Sequence, residues 1–176
     1  MGKKKIKKVQ SAESAILSVS ISDSGLGALV LIDYKAVATM YISSKGKSYR
    51  QLLLESIALI SETLLTLPEA KGKTALLISE VPSFWAADTP EPSTATVLAS
   101  GLYLTLSDMD TLNSVKLARV SDGEGLSTVT LEALTEACKD NPELLPEAIA
   151  KQQALANAYS YCSSELGVDL NKEVTV

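Results

Sequence analysis

The chain has 176 residues, of which 46% are hydrophobic and 21% are charged, as in one globular domain with a sizeable core. It contains no histidine, which excludes histidine-bound zinc and any mechanism with a histidine base. The net charge of −5 argues against a protein that wraps nucleic acid in a broad positive surface.

Positive charge is concentrated in two places. Five lysines lie in the N-terminal tail, at Lys3, Lys4, Lys5, Lys7 and Lys8, and a second cluster comprises Lys45, Lys47 and Arg50. No apolar segment of a secretory signal follows the tail. The tail either binds phosphates or only keeps a loose end soluble. We predict a flexible tail over residues 1–12, a single domain over 13–167 and a loose segment over 168–176.

The two cysteines and the hydropathy pattern bear on location. Cys138 and Cys162 have no CxxC spacing and lie in helix-like sequence, which favours reduced thiols. No apolar run reaches the roughly 20 residues that a bilayer-spanning helix needs. We therefore expect a cytoplasmic protein that does not enter a membrane.

Three strand-like runs follow one another near the N-terminus. Residues 16–22 alternate between apolar side chains and serines, residues 26–32 are almost all apolar, and residues 36–42 are rich in residues that favour strands. Only Asp33, Tyr34 and Lys35 separate the last two runs, which suits a tight hairpin. The sequence predicts an antiparallel meander of three strands, with Asp23 just past the end of the first.

A helix and a fourth strand come next. Ser48 is a suitable N-cap, and apolar residues then recur at spacings of three and four, at Leu53, Ile57, Ile60, Leu64 and Leu67. After Pro68, residues 74–79 form a short apolar run typical of a buried strand, which ends at Glu80. Strands joined by a crossing helix are normally parallel, so we expect Asp23 and Glu80 at the same edge of the sheet.

The remaining elements alternate as before. Residues 81–93 form a loop, in which Phe84 and Trp85 either stack on bases or cover the end of the core. We predict a helix of small residues over 94–106, a fifth strand over 115–120 and a helix over 131–139 capped by Thr130. A final helix is expected to open near Pro146 and to end at Gly167.

This order of elements resembles the ribonuclease H-like superfamily, and most of all its RuvC-type Holliday junction resolvases. The run ILSVSISDSGLGALVLID resembles the first motif of the family, in which a strand delivers an Asp in a D-x-G turn, here Asp23. The run ALLISEVPSFW resembles the second, which delivers a Glu, here Glu80, and ALANAYSYC resembles the last helix. The resemblance implies an α/β fold with a five-stranded mixed sheet, whose fourth and fifth strands run parallel to the first, and helices on both faces.

The resemblance also implies a function. It points to an endonuclease that acts on branched or duplex DNA as a homodimer, with Asp23 and Glu80 holding Mg²⁺ or Mn²⁺. Family members carry further acids early in the last helix, but Ala150 and Gln153 occupy those positions here. Glu147 is the nearest substitute as a catalytic and metal-binding residue. The residues expected to contact nucleic acid are Lys45, Lys47, Arg50, Phe84 and Trp85.

Two alternatives stay open beside the nuclease. The first is a binding or structural protein that keeps the fold without catalysis, and the missing third acid and the acidic composition favour it. The second is a nucleotide-binding domain of the actin-like kind, for which the chain is too short to form two lobes. Taken singly, an acid past the end of a strand is also an ordinary turn residue.

Overall fold

The computed structural model describes residues 15–22, 24–67, 74–80, 94–119 and 128–165. The strands are β1 (Ala15–Ser22), β2 (Gly25–Ile32), β3 (Lys35–Ser43), β4 (Thr74–Glu80) and β5 (Leu112–Arg119). The helices are α1 (Tyr49–Leu65), α2 (Thr94–Leu106), α3 (Thr128–Ala137) and α4 (Ile149–Glu165), with a short 3₁₀ helix at Pro142–Leu144. None of the helices in these ranges is long and apolar enough to cross a membrane.

The strands form one mixed sheet in the order β3-β2-β1-β4-β5. The pairs β1–β2 and β2–β3 are antiparallel, whereas β4 runs parallel to β1 and β5 runs parallel to β4. The predicted meander and the predicted parallel pairing of the fourth and fifth strands are therefore confirmed. The helical crossing through α1 brings β4 directly beside β1, at the centre of the sheet.

Two tight turns hold the meander in register. Asp33 and Tyr34 join β2 to β3 with φ of 48° and 68°, the left-handed values that a two-residue hairpin of this type requires. At the other end, Gly25 has a φ of 141° and lies against β3. A Cβ atom at this position would approach the Ile42 carbonyl oxygen to 2.1 Å, so only glycine fits. These turns fix which residues pair at the two ends of β2 and β3, and the register shifts once between them, at Val30 and Leu31.

The two faces of the sheet bury separate apolar clusters. Alternate residues of β1, namely Leu17, Val19 and Ile21, pack under α1 and α2. On the opposite face, side chains of β2 and β4 pack against α3 and α4. The serines of β1 point to this second face, where the buried Ser18 Oγ donates a hydrogen bond of 2.6 Å to the Ala158 carbonyl of α4. The alternation of apolar residues and serines in β1 thus directs one set of side chains to α1 and α2 and the other set to the face covered by α4.

Several predicted boundaries are wrong by a few residues. The strand β5 begins at Leu112 instead of Val115, and α3 begins at Thr128, two residues before the predicted cap. The final helix begins at Ile149 and not near Pro146, because residues 142–144 form the 3₁₀ helix and the Gln152 side chain donates to the Pro146 carbonyl. The loop predicted over residues 81–93 and the two terminal segments lie outside the described residues.

The buried stripe of α1 also differs from its prediction. Ser48 caps the helix as predicted, but the buried residues are Leu52, Ser56, Ile60 and Leu64. Leu53 is only half-buried and lies in the contact with α2, where a Cβ at Gly101 would be 3.2 Å from its Cδ1. Leu67 lies beyond the end of the helix. The residues predicted to form one apolar stripe on α1 thus belong to two different contacts. One contact is with the sheet and the other is with α2.

The segment around the 3₁₀ helix fastens onto the edge strand β3. Lys35 forms a 2.5 Å ion pair with Asp140, and the Lys35 ammonium lowers the pKa of that carboxyl. Thr39 Oγ1 donates to the Leu144 carbonyl at 2.7 Å, and Asn141 Nδ2 donates to the Ala36 carbonyl at 3.3 Å. These contacts cover an edge that would otherwise present unpaired backbone groups.

Candidate functional site at the carboxyl edge of the sheet

The carboxyl ends of the parallel strands meet at one edge of the sheet, which we call the carboxyl edge. The β1–β4 register pairs Ile21 with Glu80, and paired strands lie about 4.8 Å apart. Asp23 follows Ile21 by two residues. Asp23 and the side chain of Glu80 lie outside the described part of the structure. The shared metal site of these two acids stays a prediction, but the backbone brings the ends of both strands together.

A basic position lies on the other side of Glu80. The β4–β5 register makes Arg119 the Cα partner of Glu80. Arg119 is not among the residues predicted from the sequence to lie at this site. The signal was present, because Arg119 closes the strand LNSVKLAR and parallel strands end at the same edge. The order of positions along the carboxyl edge is therefore the end of β1, Glu80 and Arg119.

The second basic cluster lies at the same edge. It occupies the turn between β3 and α1, and the Ser44 amide donates a 3.0 Å hydrogen bond to the carbonyl of Ser24, the residue after Asp23. Lys45 and Arg50 are exposed, and Lys47 forms an ion pair with Glu55. The structure thus brings the segment that carries these three cations beside Ser24, the residue that follows Asp23 in the sequence.

The N-terminus of α1 is held firmly beside this turn. Ser48 Oγ accepts from the Gln51 amide at 3.3 Å, and the Gln51 side chain accepts from the Ser48 amide at 2.8 Å. This reciprocal pair is a capping box, which satisfies backbone donors that the first helical turn leaves free. The first turn of α1 carries no acidic residue, and Arg50 lies within it. The positive end of the helix dipole therefore adds to the charge of the basic cluster.

The helix α4 approaches the opposite face of the sheet closely enough to touch backbone. A Cβ atom at Gly27 of β2 would lie 2.5 Å from the Ala154 Cβ and 2.8 Å from the Ala154 carbonyl carbon. Gly27 pairs with Ser20, near the end of β1, whereas Ala158 contacts Ser18, which lies earlier in that strand. The helix therefore runs antiparallel to β1, with its N-terminus at the carboxyl edge.

The half of α4 nearest this edge offers no carboxylate. Ala150 is exposed, and Gln153 is half-buried and donates to Asn157 at 3.5 Å. The first acidic residue of the helix is Glu165, in its last turn. Among the residues that the structure describes, no group of three His, Cys, Asp or Glu side chains is placed to hold a metal ion. Any such site would need acids from outside those residues.

Glu147 does not occupy the predicted helical position. It is exposed and precedes α4 by two residues, so it lies outside the final helix that was predicted to open near Pro146. Its role as a third ligand for Asp23 and Glu80 stays a prediction. The set of Asp23, Glu80 and Glu147 supplies only carboxylate oxygens, the hard donors that Mg²⁺ prefers. The chemistry of the predicted donors thus fits the metal.

The aromatic residues, the tail lysines and the cysteines noted in the sequence add no described side chain to this site. Phe84, Trp85 and the lysines of residues 1–12 lie outside the described residues. Cys138 and Cys162 are free and buried in the cluster under α3 and α4, and burial raises the pKa of both thiols, that of Cys162 to about 12. Protonated, enclosed thiols are neither metal ligands nor nucleophiles at neutral pH.

The sheet order and the helices on both faces define a ribonuclease H-like fold of the RuvC type. The structure of T. thermophilus RuvC in complex with a Holliday junction substrate matches with a TM-score of 0.54 over 89% of this chain and 98% of that chain, at 15% identity. A second Thermus thermophilus RuvC structure matches with a TM-score of 0.52 over 88% and 97% of the two chains, at 12% identity. No protein-family model matches the sequence, and no curated protein matches it significantly. The resemblance seen in the sequence is confirmed at the level of the fold.

Proposed function

We propose that this protein is a metal-dependent endonuclease that acts on branched DNA. The observation that carries the proposal is the β1–β4 register, which brings the strand ends before Asp23 and at Glu80 to one edge. The basic turn hydrogen-bonded to Ser24 borders the same edge. A metal-dependent nuclease uses acids to hold the metal and cations to hold the phosphate, and the strand ends next to both acids border the basic turn.

Each group has a role in this proposal. Asp23, Glu80 and Glu147 hold Mg²⁺ or Mn²⁺, which when bound supplies a water nucleophile and stabilises the charge that develops on the phosphate. Lys45, Lys47 and Arg50 bind phosphates of the DNA backbone next to the cut. Phe84 and Trp85 stack on unpaired bases at the branch point. Both cysteines that the structure describes are free, which fits the cytoplasmic location that we propose.

We further propose a homodimer formed through α2. This helix contains no charged residue, and it presents Val97, Ser100 and Leu104 to solvent on one stripe. A neutral stripe with a large exposed leucine suits a second copy of the same helix.

Leu104→Glu should convert the dimer to a monomer in sedimentation velocity. Leu65→Glu is the matched control, because Leu65 on α1 is 75% exposed and Leu104 is 73% exposed. A monomeric wild-type protein would reject the dimer.

Cleavage of a four-way DNA junction tests the nuclease directly. Wild-type protein should cut the junction in Mg²⁺ or Mn²⁺ and not in EDTA, and Asp23→Asn should abolish cutting while it keeps junction binding. Asp33→Asn is the matched control, since it removes the same charge from the β2–β3 hairpin at the opposite edge. Absence of cutting by the wild-type protein in either metal would overturn the proposal.

One observation favours a second function. The half of α4 at the carboxyl edge lacks any acid, and Gln153 instead bonds to Asn157. A protein of this fold with two acids would bind branched DNA without cutting it. Junction binding without cleavage by the wild-type protein identifies this case. Gln153→Asp, which returns a carboxylate to α4, should then produce metal-dependent cutting.

A further inference from the structure

Two cations flank the carboxyl edge from opposite faces of the sheet. Arg50 lies in the first turn of α1, which packs on the face of Leu17 and Val19. Lys151 lies in the first turn of α4, which packs on the other face. Both helices point their N-termini at this edge. One cation therefore lies on each face of the sheet near the carboxyl edge, and Lys151 lies over the edge strand β3.

Helix stability does not explain these cations. The positive end of the helix dipole disfavours basic residues in the first turn and favours acidic ones. Yet the first turns of all four described α-helices contain no acidic residue, although the protein has more acidic than basic residues overall. Two of these four first turns carry a cation instead, those of α1 and α4. This arrangement concentrates positive charge at the edge where Asp23 and Glu80 are predicted to lie, and a phosphate would bind favourably there as well.

An aromatic ring holds the second cation in place. The Lys151 Nζ lies 5.8 Å from the centroid of the Tyr41 ring, within the range of a cation–π interaction. Tyr41 is half-buried on β3 and pairs with Gly27, the residue on which Ala154 packs. Among the described residues, Lys151 forms no ion pair. Its charge is thus positioned and remains available to a ligand.

We infer that Lys151, positioned by Tyr41, binds a phosphate of a second DNA arm, on the face of the sheet opposite to the basic turn. This inference rests on the proposed binding of branched DNA. A linear duplex that lies against Lys45 and Arg50 stays on one face. Arms that diverge from a branch point at the carboxyl edge extend over both faces and reach Lys151. The residue therefore favours branched over linear DNA.

The test compares binding of a four-way junction and of a linear duplex of equal length by fluorescence anisotropy, without metal and over a range of salt. Loss of one phosphate contact reduces the slope of log affinity against log salt by about 0.9, or about eightfold in affinity at 0.1 M salt. Lys151→Gln should show this loss for the junction and less than a twofold change for the duplex. Tyr41→Leu, which keeps the charge, should weaken junction binding by about two- to fivefold at an unchanged slope.

Lys139→Gln is the matched control. It removes the same charge from the C-terminal end of α3, where Lys139 pairs with Glu136, and it should change neither affinity. An unchanged junction slope in Lys151→Gln, or equal losses for junction and duplex, would overturn the inference. Binding alone is measured, so failure of the wild-type protein to cut DNA leaves this result intact. A wild-type protein that binds no DNA would reject the inference together with the proposed DNA binding.

Discussion

Substitution of Gly27 by alanine is expected to separate α4 from the sheet. The added Cβ would lie 2.5 Å from the Ala154 Cβ, 2.8 Å from its carbonyl carbon and 2.9 Å from its carbonyl oxygen. Two of these atoms belong to the backbone of α4 and cannot rotate away. Overpacking of a core by a methyl group typically costs about 1 to 3 kcal/mol, and a backbone clash belongs at the upper end. The removal of a strand glycine returns about 0.5 to 1 kcal/mol. The expected net loss of unfolding free energy is about 2 kcal/mol.

Urea unfolding followed by far-UV circular dichroism measures this loss. With an m-value of about 2 kcal/mol/M, the midpoint of Gly27→Ala should fall by about 1 M. Addition of Ala154→Gly removes only the 2.5 Å contact and leaves both backbone contacts. The double variant should therefore recover part of the loss and not all of it.

Gly46→Ala separates packing from backbone strain. Gly46 has a φ of 73° with no atom within 4 Å of an added Cβ, so alanine is strained there without any clash. Ala154→Gly should not rescue this variant. A midpoint shift below about 0.3 M for Gly27→Ala, or full rescue by Ala154→Gly, would refute the backbone contact between α4 and β2.

Three further substitutions test the caps and the buried groups by the same unfolding assay. Ser48→Ala breaks the capping box of α1 and should lower the unfolding free energy by about 1 kcal/mol, and a loss below about 0.3 kcal/mol would contradict the cap. Ser18→Ala removes the buried hydrogen bond to Ala158 and should also lower the unfolding free energy by about 1 kcal/mol. An unchanged unfolding free energy would contradict the packing of α4 on β1. Burial raises the pKa of Cys162 to about 12 from 9.0, so the native state keeps a proton that the unfolded chain loses between these values. Stability should therefore fall above pH 9, by about 1.4 kcal/mol per pH unit from this thiol, and Cys162→Ala should flatten that slope.

The centre of the sheet was predictable because its signals are local. The alternation in β1 assigns Leu17 and Val19 to one face and Ser18 to the other. The two-residue turn at Asp33 and Tyr34 sets the pairing of β2 with β3 as far as the irregularity between Val30 and Leu31, where the register shifts. The crossing through α1 then makes β4 parallel to β1. The same rules predict from the sequence alone that Asp23 and Glu80 lie at one edge of the sheet.

The region of α4 was harder because its signals conflict. Pro146 suits the first position of a helix, but the chain around Pro142 forms a 3₁₀ helix first, and Gln152 bonds back to the Pro146 carbonyl. Ala154 is buried by contact with Gly27, which no pattern within the helix reveals. Helix periodicity describes a helix with one apolar side, whereas α4 packs small residues on several neighbours. Because α4 begins at Ile149, Glu147 precedes the helix and does not lie in the first turn, where a helix that opens near Pro146 would have put it.

Lys151 and Arg119 escaped prediction for a related reason. Each is a single basic residue, without the clustering that made Lys45, Lys47 and Arg50 visible in the sequence. The β4–β5 register puts position 119 at the carboxyl edge beside Glu80. The direction of α4 and the contact with the Tyr41 ring put Lys151 near the same edge. Strand pairing and helix packing bring these two positions to the edge. A cluster in space therefore need not be a cluster along the chain.

The electrostatics of the carboxyl edge bear differently on metal and on DNA. Helix N-termini and cations on both faces attract phosphates, and they repel a divalent cation by the same field. In a site where α4 supplied acids, those charges would offset the repulsion, but here Gln153 and Ala150 are neutral. Strong binding of DNA is thus compatible with weak binding of metal. In the proposed nuclease, bound phosphates would complete the negative charge around the metal, so metal binding would depend on the presence of the substrate. DNA affinity measured without metal would then report on the cations of the edge alone, so that affinity does not imply cleavage when metal is added.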